Sequence, residues 1–214
     1  MTEDNLKDHP LAHELAGCGN LFHRWQWSLA SSSNYSALLD AEQIIISQSG
    51  VDKERMTSAD FMLVDFDAKP LAGFEVLKPS AETALHCQIY QKADLFHAGS
   101  VLHTHSKFSV FFSRRHLAEG KIIFSGFEMQ KIFDGIATHE SEIEIAVFKN
   151  SQTMRDITKA FDDYLTTNKI PAAYLIEGHG VYTWAKTILH AKQKLEALEH
   201  LFELKYMEEL CKRH

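Results

Sequence analysis

Thirteen histidines in 214 residues are many, and three of them have a spacing that can do chemistry. His103 and His105 are separated by one residue inside the stretch Gly99-Ser100-Val101-Leu102-His103-Thr104-His105, which reads as a buried strand. Side chains two apart on a strand leave the same face, so both imidazoles can reach one point. His179 stands between Gly178 and Gly180, just after a second apolar run at 172–176. Flanking glycines let the backbone turn sharply and come close to a ligand. Three neutral imidazoles with one open position suit a catalytic zinc ion; imidazole also suits iron, nickel or copper. Taken singly, the HxH pair fits two histidines bonded in a polar patch, and the GHG fits an ordinary turn.

Two further groups of residues belong to the same kind of chemistry. Ser32, Ser33 and Asn34, with Ser49 and Gly50, supply hydroxyls and loop N–H groups that can surround an anion without much net positive charge. The same residue types favour turns in any case. Glu128 and Glu82, like any acid of the chain, can move a proton where they are positioned to do so, and spacing alone does not single them out. Glu82 falls in the first turn of an expected helix, where the helix dipole favours an acid whatever its role.

The elements that must position these residues alternate between strand and helix patterns. Asp8 is the expected cap of a first helix, with Pro10 in its first turn and Leu11, Leu15, Cys18, Phe22 and Trp25 on its inner stripe. Strands are expected at 44–47 and 61–65, with Thr57-Ser58-Ala59-Asp60 as a capped turn between them. Pro79-Ser80 reads as the start of a helix to about residue 92, capped by Ser80. A helix through Phe108, Phe111 and Phe112 follows the HxH strand. Then come a strand at 142–148, a helix with Met154, Ile157, Phe161 and Leu165 inside, the strand at 172–176, and a long closing helix through Ile188, Ala191, Leu195, Leu198 and Phe202. This order predicts an α/β fold in which one central sheet is flanked by helices, as a single domain over residues 1–214. It leaves open whether the sheet is parallel, antiparallel or mixed. Trp25, Trp27, Phe108, Phe111 and Phe112 read as core or subunit-interface residues rather than substrate contacts.

Composition narrows the partners. The formal net charge of -7 disfavours general binding to nucleic acid, which needs a positive surface. No apolar run is long enough for a membrane helix, and the polar segment 1–11 is no signal peptide. Cys18, Cys87 and Cys211 form no CxxC and no even disulfide framework, which points to a reduced, cytoplasmic protein.

His103-Thr104-His105, followed some seventy residues on by Gly178-His179-Gly180, resembles the metal signature of the class II aldolase/adducin superfamily. Other landmarks occur in the same order. Ser31-Ser32-Ser33-Asn34-Tyr35-Ser36 is similar to the family's early loop, Ser47-Gln48-Ser49-Gly50 to its phosphate loop, and Lys78-Pro79-Ser80-Ala81-Glu82 to its P-S-x-E segment. Ser49-Gly50-Val51-Asp52-Lys53, Phe127-Glu128-Met129-Gln130-Lys131 with Thr138-His139-Glu140, and Gly178-His179-Gly180-Val181-Tyr182-Thr183-Trp184 resemble the dehydratase branch of that superfamily.

The resemblance implies a class II aldolase-like fold and one Zn2+ per subunit on His103, His105 and His179. It also implies phosphate binding by Ser32, Ser33, Asn34, Ser49, Gly50 and Ser80, with Glu128 as acid/base and Glu82 as a second acidic residue near the metal. The implied activity is loss of water from a small phosphorylated ketose, 5-methylthioribulose 1-phosphate, in methionine salvage, by a homotetramer with sites near subunit boundaries. Two alternatives share the resemblance: a sugar-phosphate aldolase or 4-epimerase, and a non-enzymatic adducin-like module. Two residues depart from the family pattern. Ser33 stands where glycine is usual before the asparagine, and a positive φ there would strain a serine. Ala185 stands where glycine is usual after Tyr182-Thr183-Trp184, a change expected to alter packing rather than chemistry.

Overall fold

A computed structural model describes residues 2–212. The chain runs α1 (Glu3–Lys7), α2 (Pro10–Arg24), β1 (Asn34–Leu38), β2 (Ile44–Ser47), β3 (Phe61–Val64), α3 (Thr83–Gln91), α4 (Ala93–Phe96), β4 (Ser100–Thr104), α5 (Lys107–Arg115), β5 (Lys121–Phe124), β6 (Ile143–Phe148), α6 (Met154–Thr167), β7 (Ala173–Ile176), β8 (Gly180–Ala185) and α7 (Ile188–Cys211). The eight strands form one sheet in the order β3-β2-β1-β4-β8-β7-β6-β5. All neighbours are antiparallel except β6 and β7. The sheet is therefore mixed, which hydrophobic patterning had left undecided.

Strands β2, β3, β4, β7 and β8 are buried at every residue, so both faces of the sheet are covered. One covering group consists of α2, α5 and α7, and another of α3, α4 and α6. Run-on apolar segments such as Ile44-Ile45-Ile46 suit this two-sided burial. Only β5, at the sheet edge, leaves a residue exposed.

The helix starts correct two expectations. Asp8 ends α1 rather than capping α2. The cap of α2 is His9, whose Nδ1 accepts from Leu11 N at 3.2 Å, with Pro10 at the first helical position. Helix α3 begins at Thr83, not at Ser80, because Pro79 still bridges to Gln48 as extended chain. Ser80 instead shapes the turn before the helix: its Oγ accepts from Glu82 N at 3.3 Å and its carbonyl from Thr83 N at 3.1 Å. The capped turn at Thr57 is present, with Asp60 Oδ2 accepting from Thr57 N at 2.7 Å.

Helix α7 buries two charged residues, Lys194 and Glu199. Lys194 is ion-paired with Asp134 and donates to Trp184 O at 3.2 Å. Glu199 accepts from Ser106 Oγ, and Ser106 in turn caps α5 by accepting from Ser109 N at 3.0 Å. Burial pushes the Glu199 carboxyl up to about 8, against the Ser106 hydrogen bond. In the unfolded chain the same group ionises near pH 4.3 or so. Folding is therefore unhindered by Glu199 below about pH 4.3, and stability is lost progressively as the pH rises towards about 8. Glu199→Gln is expected to remove that loss and narrow the gap in melting temperature between pH 5 and pH 8 by roughly 5 °C. Parallel melts of the two proteins at both pH values check this, and an unchanged gap counts against a neutral buried Glu199.

Candidate metal centre

Antiparallel pairing brings five separated segments to one end of the sheet. Strand β4 ends where β8 begins, with Thr104 opposite Val181 and His103 opposite Tyr182. Strand β1 begins there too, Asn34 facing His103, and β2 ends beside it. Thus the loops around residues 28–34, 48–53 and 79–82, the end of the HxH strand and the GHG turn all gather at that edge.

The two glycines of the GHG turn have separate reasons. Gly178 has φ 62°, a left-handed conformation that favours glycine. At Gly180 a Cβ would lie 2.0 Å from Thr104 O, so only glycine lets β8 start this close to β4. The turn is closed by His179 N donating to Ile176 O at 3.0 Å and is held to α5 by Gly178 N donating to Ser113 Oγ at 2.9 Å. His105 lies one residue past β4, where its N–H donates to Trp27 O at 2.7 Å. Aromatic residues after α2 thus serve as backbone scaffold, Trp27 stacking on Phe22 at 5.7 Å between centroids.

Side-chain donors of Glu82, His103, His105 and His179 all lie within 4.8 Å of one another. His103 Nε2 is 2.6 Å from His105 Nε2 and 3.3 Å from His179 Nε2. Glu82 Oε1 is 2.8 Å from His179 Nε2, and Glu82 Oε2 is 3.3 Å from His103 Nε2. His103 Nδ1 donates to Val181 O at 2.9 Å, which leaves the Nε2 lone pair aimed into the cluster. Its ring also stacks on Tyr182 at 3.9 Å.

Burial first, then its histidine neighbours, hold His103 well below the ordinary histidine range despite Glu82. Burial and His179 bring His105 down to about 4, with a further lowering by the charge of Lys53. Burial opposes ionisation of Glu82, but His103, His179 and the hydrogen bonds from His179 and Tyr182 outweigh it and keep the carboxyl well below its usual range. Imidazole nitrogens and a carboxylate are the donor set a divalent cation needs, and these residues fit one.

Glu82 is fixed from behind. Asn34 Nδ2 donates to Glu82 Oε2 at 2.7 Å and to Ser80 Oγ at 3.0 Å, and Tyr182 OH donates to Glu82 Oε2 at 2.6 Å. Asn34 Oδ1 meets His86 Nε2, while His86 Nδ1 and Tyr90 OH each lie 2.7 Å from Ser36 Oγ. A buried polar chain therefore runs from Tyr90 to the cluster. The side-chain donors of Asn34 are engaged on Glu82 and Ser80, so its amide orients the carboxylate. His86 and Tyr90 escaped sequence reasoning, although their signal was present: residues 82, 86 and 90 are four apart and share one face of a helix.

The serine loops lie beside this cluster. Ser33 takes φ 73°, as do, nearby, Ala30 at 52° and Ser31 at 58°. The strain expected of a serine in the glycine position is therefore real. Ser32 Oγ and Ser33 Oγ are buried with no hydrogen-bond partner among the described residues. Ser49 N donates to Lys78 O at 2.9 Å, and Gly50 turns the chain with φ 78°.

Glu128 does not join this group within one chain. It opens a one-turn helix, Glu128–Ile132, four residues beyond β5. Strand β5 ends opposite Ile143, the start of β6, whereas β6 and β7 end side by side at the GHG turn. The carboxylate thus stands at the far end of the sheet, with roughly 17 Å of strand between. It is 70% exposed and pairs with Lys131 and, at 3.1 Å, with His139.

Known proteins place this arrangement. The family model for the class II aldolase and adducin N-terminal domain matches residues 13–206. The chain belongs to this family. It is 42% identical over 194 residues to a methylthioribulose-1-phosphate dehydratase of Xanthomonas euvesicatoria pv. vesicatoria, covering 90% of this chain and 87% of that protein. It is also 42% identical over 176 residues to one of Stenotrophomonas maltophilia, covering 82% and 80%. Among solved structures the fold is shared with the l-fuculose-1-phosphate aldolase of Thermus thermophilus, at TM-score 0.73 and 19% identity over 95% of this chain and 97% of that one. An aldolase II superfamily protein from Pseudomonas syringae aligns at TM-score 0.71 and 18% identity, over 94% and 76%. The expected α/β fold with a helix-flanked sheet is the fold of this family.

Two substitutions test the backbone of the site. Gly180→Ala is expected to cost about 1–3 kcal/mol of stability and to lower bound metal, read by melting and elemental analysis. An unchanged melt with full metal content would refute the close-approach account. Ser33→Gly relieves a left-handed serine and is expected to raise stability by about 1 kcal/mol; a lower melting temperature would show that the Ser33 hydroxyl matters more than its backbone.

Proposed function

We propose that this protein is a metal-dependent lyase that removes water from 5-methylthioribulose 1-phosphate, giving 2,3-diketo-5-methylthiopentyl 1-phosphate, a step of methionine salvage. The observation that carries this reading is the four-donor cluster at the same sheet end as the SGVDK loop, in a chain 42% identical over most of its length to proteins named as that dehydratase. We assign one Zn2+ per subunit to His103, His105 and His179, and a homotetrameric, cytoplasmic protein. No helix among the described residues is long and apolar enough to cross a membrane, and the three cysteines are free.

The substrate carries phosphate on carbon 1, a carbonyl at carbon 2 and hydroxyls at carbons 3 and 4. The loops with Ser32, Ser33, Ser49 and Gly50, together with Ser80, hold the phosphate and so orient the chain of carbons. A divalent ion, when bound, supplies the Lewis acidity that polarises the carbon-2 carbonyl and acidifies the carbon-3 proton. Glu128 takes that proton on its carboxylate and returns it to the carbon-4 hydroxyl as it leaves as water. The enol that results tautomerises to the diketone. Glu82, aimed by Asn34 and Tyr182, is the second carboxylate facing the substrate. Since Glu128 stands at the far end of its own sheet, a neighbouring subunit is the source of the Glu128 that serves each cluster.

The first experiment incubates zinc-loaded protein with 5-methylthioribulose 1-phosphate and follows products by mass spectrometry. A product lighter by one water is expected, with Glu128→Gln slower by about 10²–10⁴-fold and His105→Ala inactive. Triose-phosphate formation, or no turnover with zinc bound, would overturn the dehydratase in favour of an aldolase or epimerase. Mixing the two variants within one oligomer is expected to raise activity well above that of either alone. Failure to do so in a proven mixed oligomer would place the two residues in sites of single chains.

A further inference from the structure

Two lysines are buried in this chain, Lys53 and Lys194, at 1% and 3% exposure. They differ in one respect. Lys194 has a carboxylate, Asp134, as its partner. Lys53 has no carboxylate oxygen within 4.0 Å among the described residues; its Nζ donates to Val51 O at 2.9 Å. An ammonium has three donors, so two directions are left over.

A buried cation without a counter-ion is costly, and chains keep one where a ligand completes it. Burial brings Lys53 down to about 8 even though Asp60 and Asp52 favour its charge. Its main chain is held firmly: Asn20 Nδ2 donates to Lys53 O at 3.0 Å and to Met56 O at 3.1 Å, tying the turn to α2. Asp52 caps the same turn by accepting from Glu54 N at 3.0 Å. Its loop leaves β2 at Ser47, whose Oγ accepts from Tyr35 N at 3.2 Å, at the sheet end where Asn34 faces His103. Gly50, with its left-handed turn, lies three residues before it, and the partnerless hydroxyls of Ser32 and Ser33 belong to the loop at the same sheet end.

We propose that Lys53 is a substrate-binding residue whose ammonium is the counter-ion of a phosphate monoester seated on the Ser32–Ser33 and Ser49–Gly50 loops. This rests on the reading that the substrate is a phosphorylated ketose, and it adds the one positive charge that the serine loops lack. It also explains how a chain of net charge -7 can bind a doubly charged anion: the attraction is local and desolvated, rather than a field spread over the surface.

The test uses the zinc-loaded oligomer with Lys53→Met, which keeps the length of the side chain, and Lys53→Gln as a second variant. Inorganic phosphate is titrated by calorimetry, and its effect on the melting temperature is recorded. Phosphate affinity is expected to fall by about 10- to 100-fold in both variants, with metal content unchanged and the phosphate-free melt no lower than that of the parent. In turnover, KM for the phosphorylated ketose rises by a similar factor, whereas turnover of dephosphorylated 5-methylthioribulose is unaffected. Undiminished phosphate binding, a lower phosphate-free melt with phosphate affinity intact, or failure of both variants to fold would each mark a structural lysine and overturn the proposal. Lys53-dependent phosphate binding in a protein that dehydrates no ketose would sustain the proposal while removing the dehydratase reading.

Discussion

Four groups whose lone pairs converge in one largely buried pocket repel one another unless a proton or a positive charge is shared among them. Three imidazole nitrogens and a carboxylate within 4.8 Å impose that constraint here, and much of the surrounding structure answers to it. The tautomer of His103 is fixed by the carbonyl of Val181, so its free nitrogen has no choice of direction. The carboxylate of Glu82 is gripped by Asn34 and Tyr182, and Asn34 is gripped by His86. Each of these restraints is set by a strand register or a helix face, which is why the site needs so many segments of the chain.

Much of this was legible in the sequence because the chemistry follows simple periodicities. His103 and His105 share a face by strand alternation, and the GHG turn needs glycine for two reasons that structure separates: a left-handed residue at Gly178 and a close approach at Gly180. The helix-flanked sheet followed from the alternation of segments. What escaped was hidden by polarity. Strand β1, Asn34–Leu38, alternates, but its polar side chains Asn34 and Ser36 continue a run of serines and turn into the polar chain with His86 and Tyr90, so its start reads as loop. Strand β5 is an edge strand that opens on an exposed lysine, so only Ile122-Ile123-Phe124 announces it. Pro79 and Ser80 look like a helix entry, but a bridge to Gln48 keeps the chain extended and α3 is capped two residues later, at Glu82.

Glu128 illustrates a different limit. Motif resemblance assigns it to chemistry, but position in space depends on strand direction, which spacing along the chain does not contain. The antiparallel β5–β6 pair sends it away from the histidines of its own chain. Conversely, the doubt raised over Ser33 could be stated from sequence alone, since a left-handed position penalises any side chain in a known way, and its φ of 73° bears it out.

The sheet order carries a consequence for how the molecule is assembled. Strands β1, β2 and β3 form one meander from the first third of the chain, and β5 to β8 form another region from the last half, with β4 seated between β1 and β8. The histidines of β4 and of the GHG turn are therefore on two sides of the seam where these regions join, 76 residues apart in sequence between His103 and His179. Contacts so distant along the chain form late and slowly, because the entropy of closing the intervening loop comes before any reward. A cation held across that seam would act as a rivet between the two regions, stabilising the chain in which both are formed over the unfolded one.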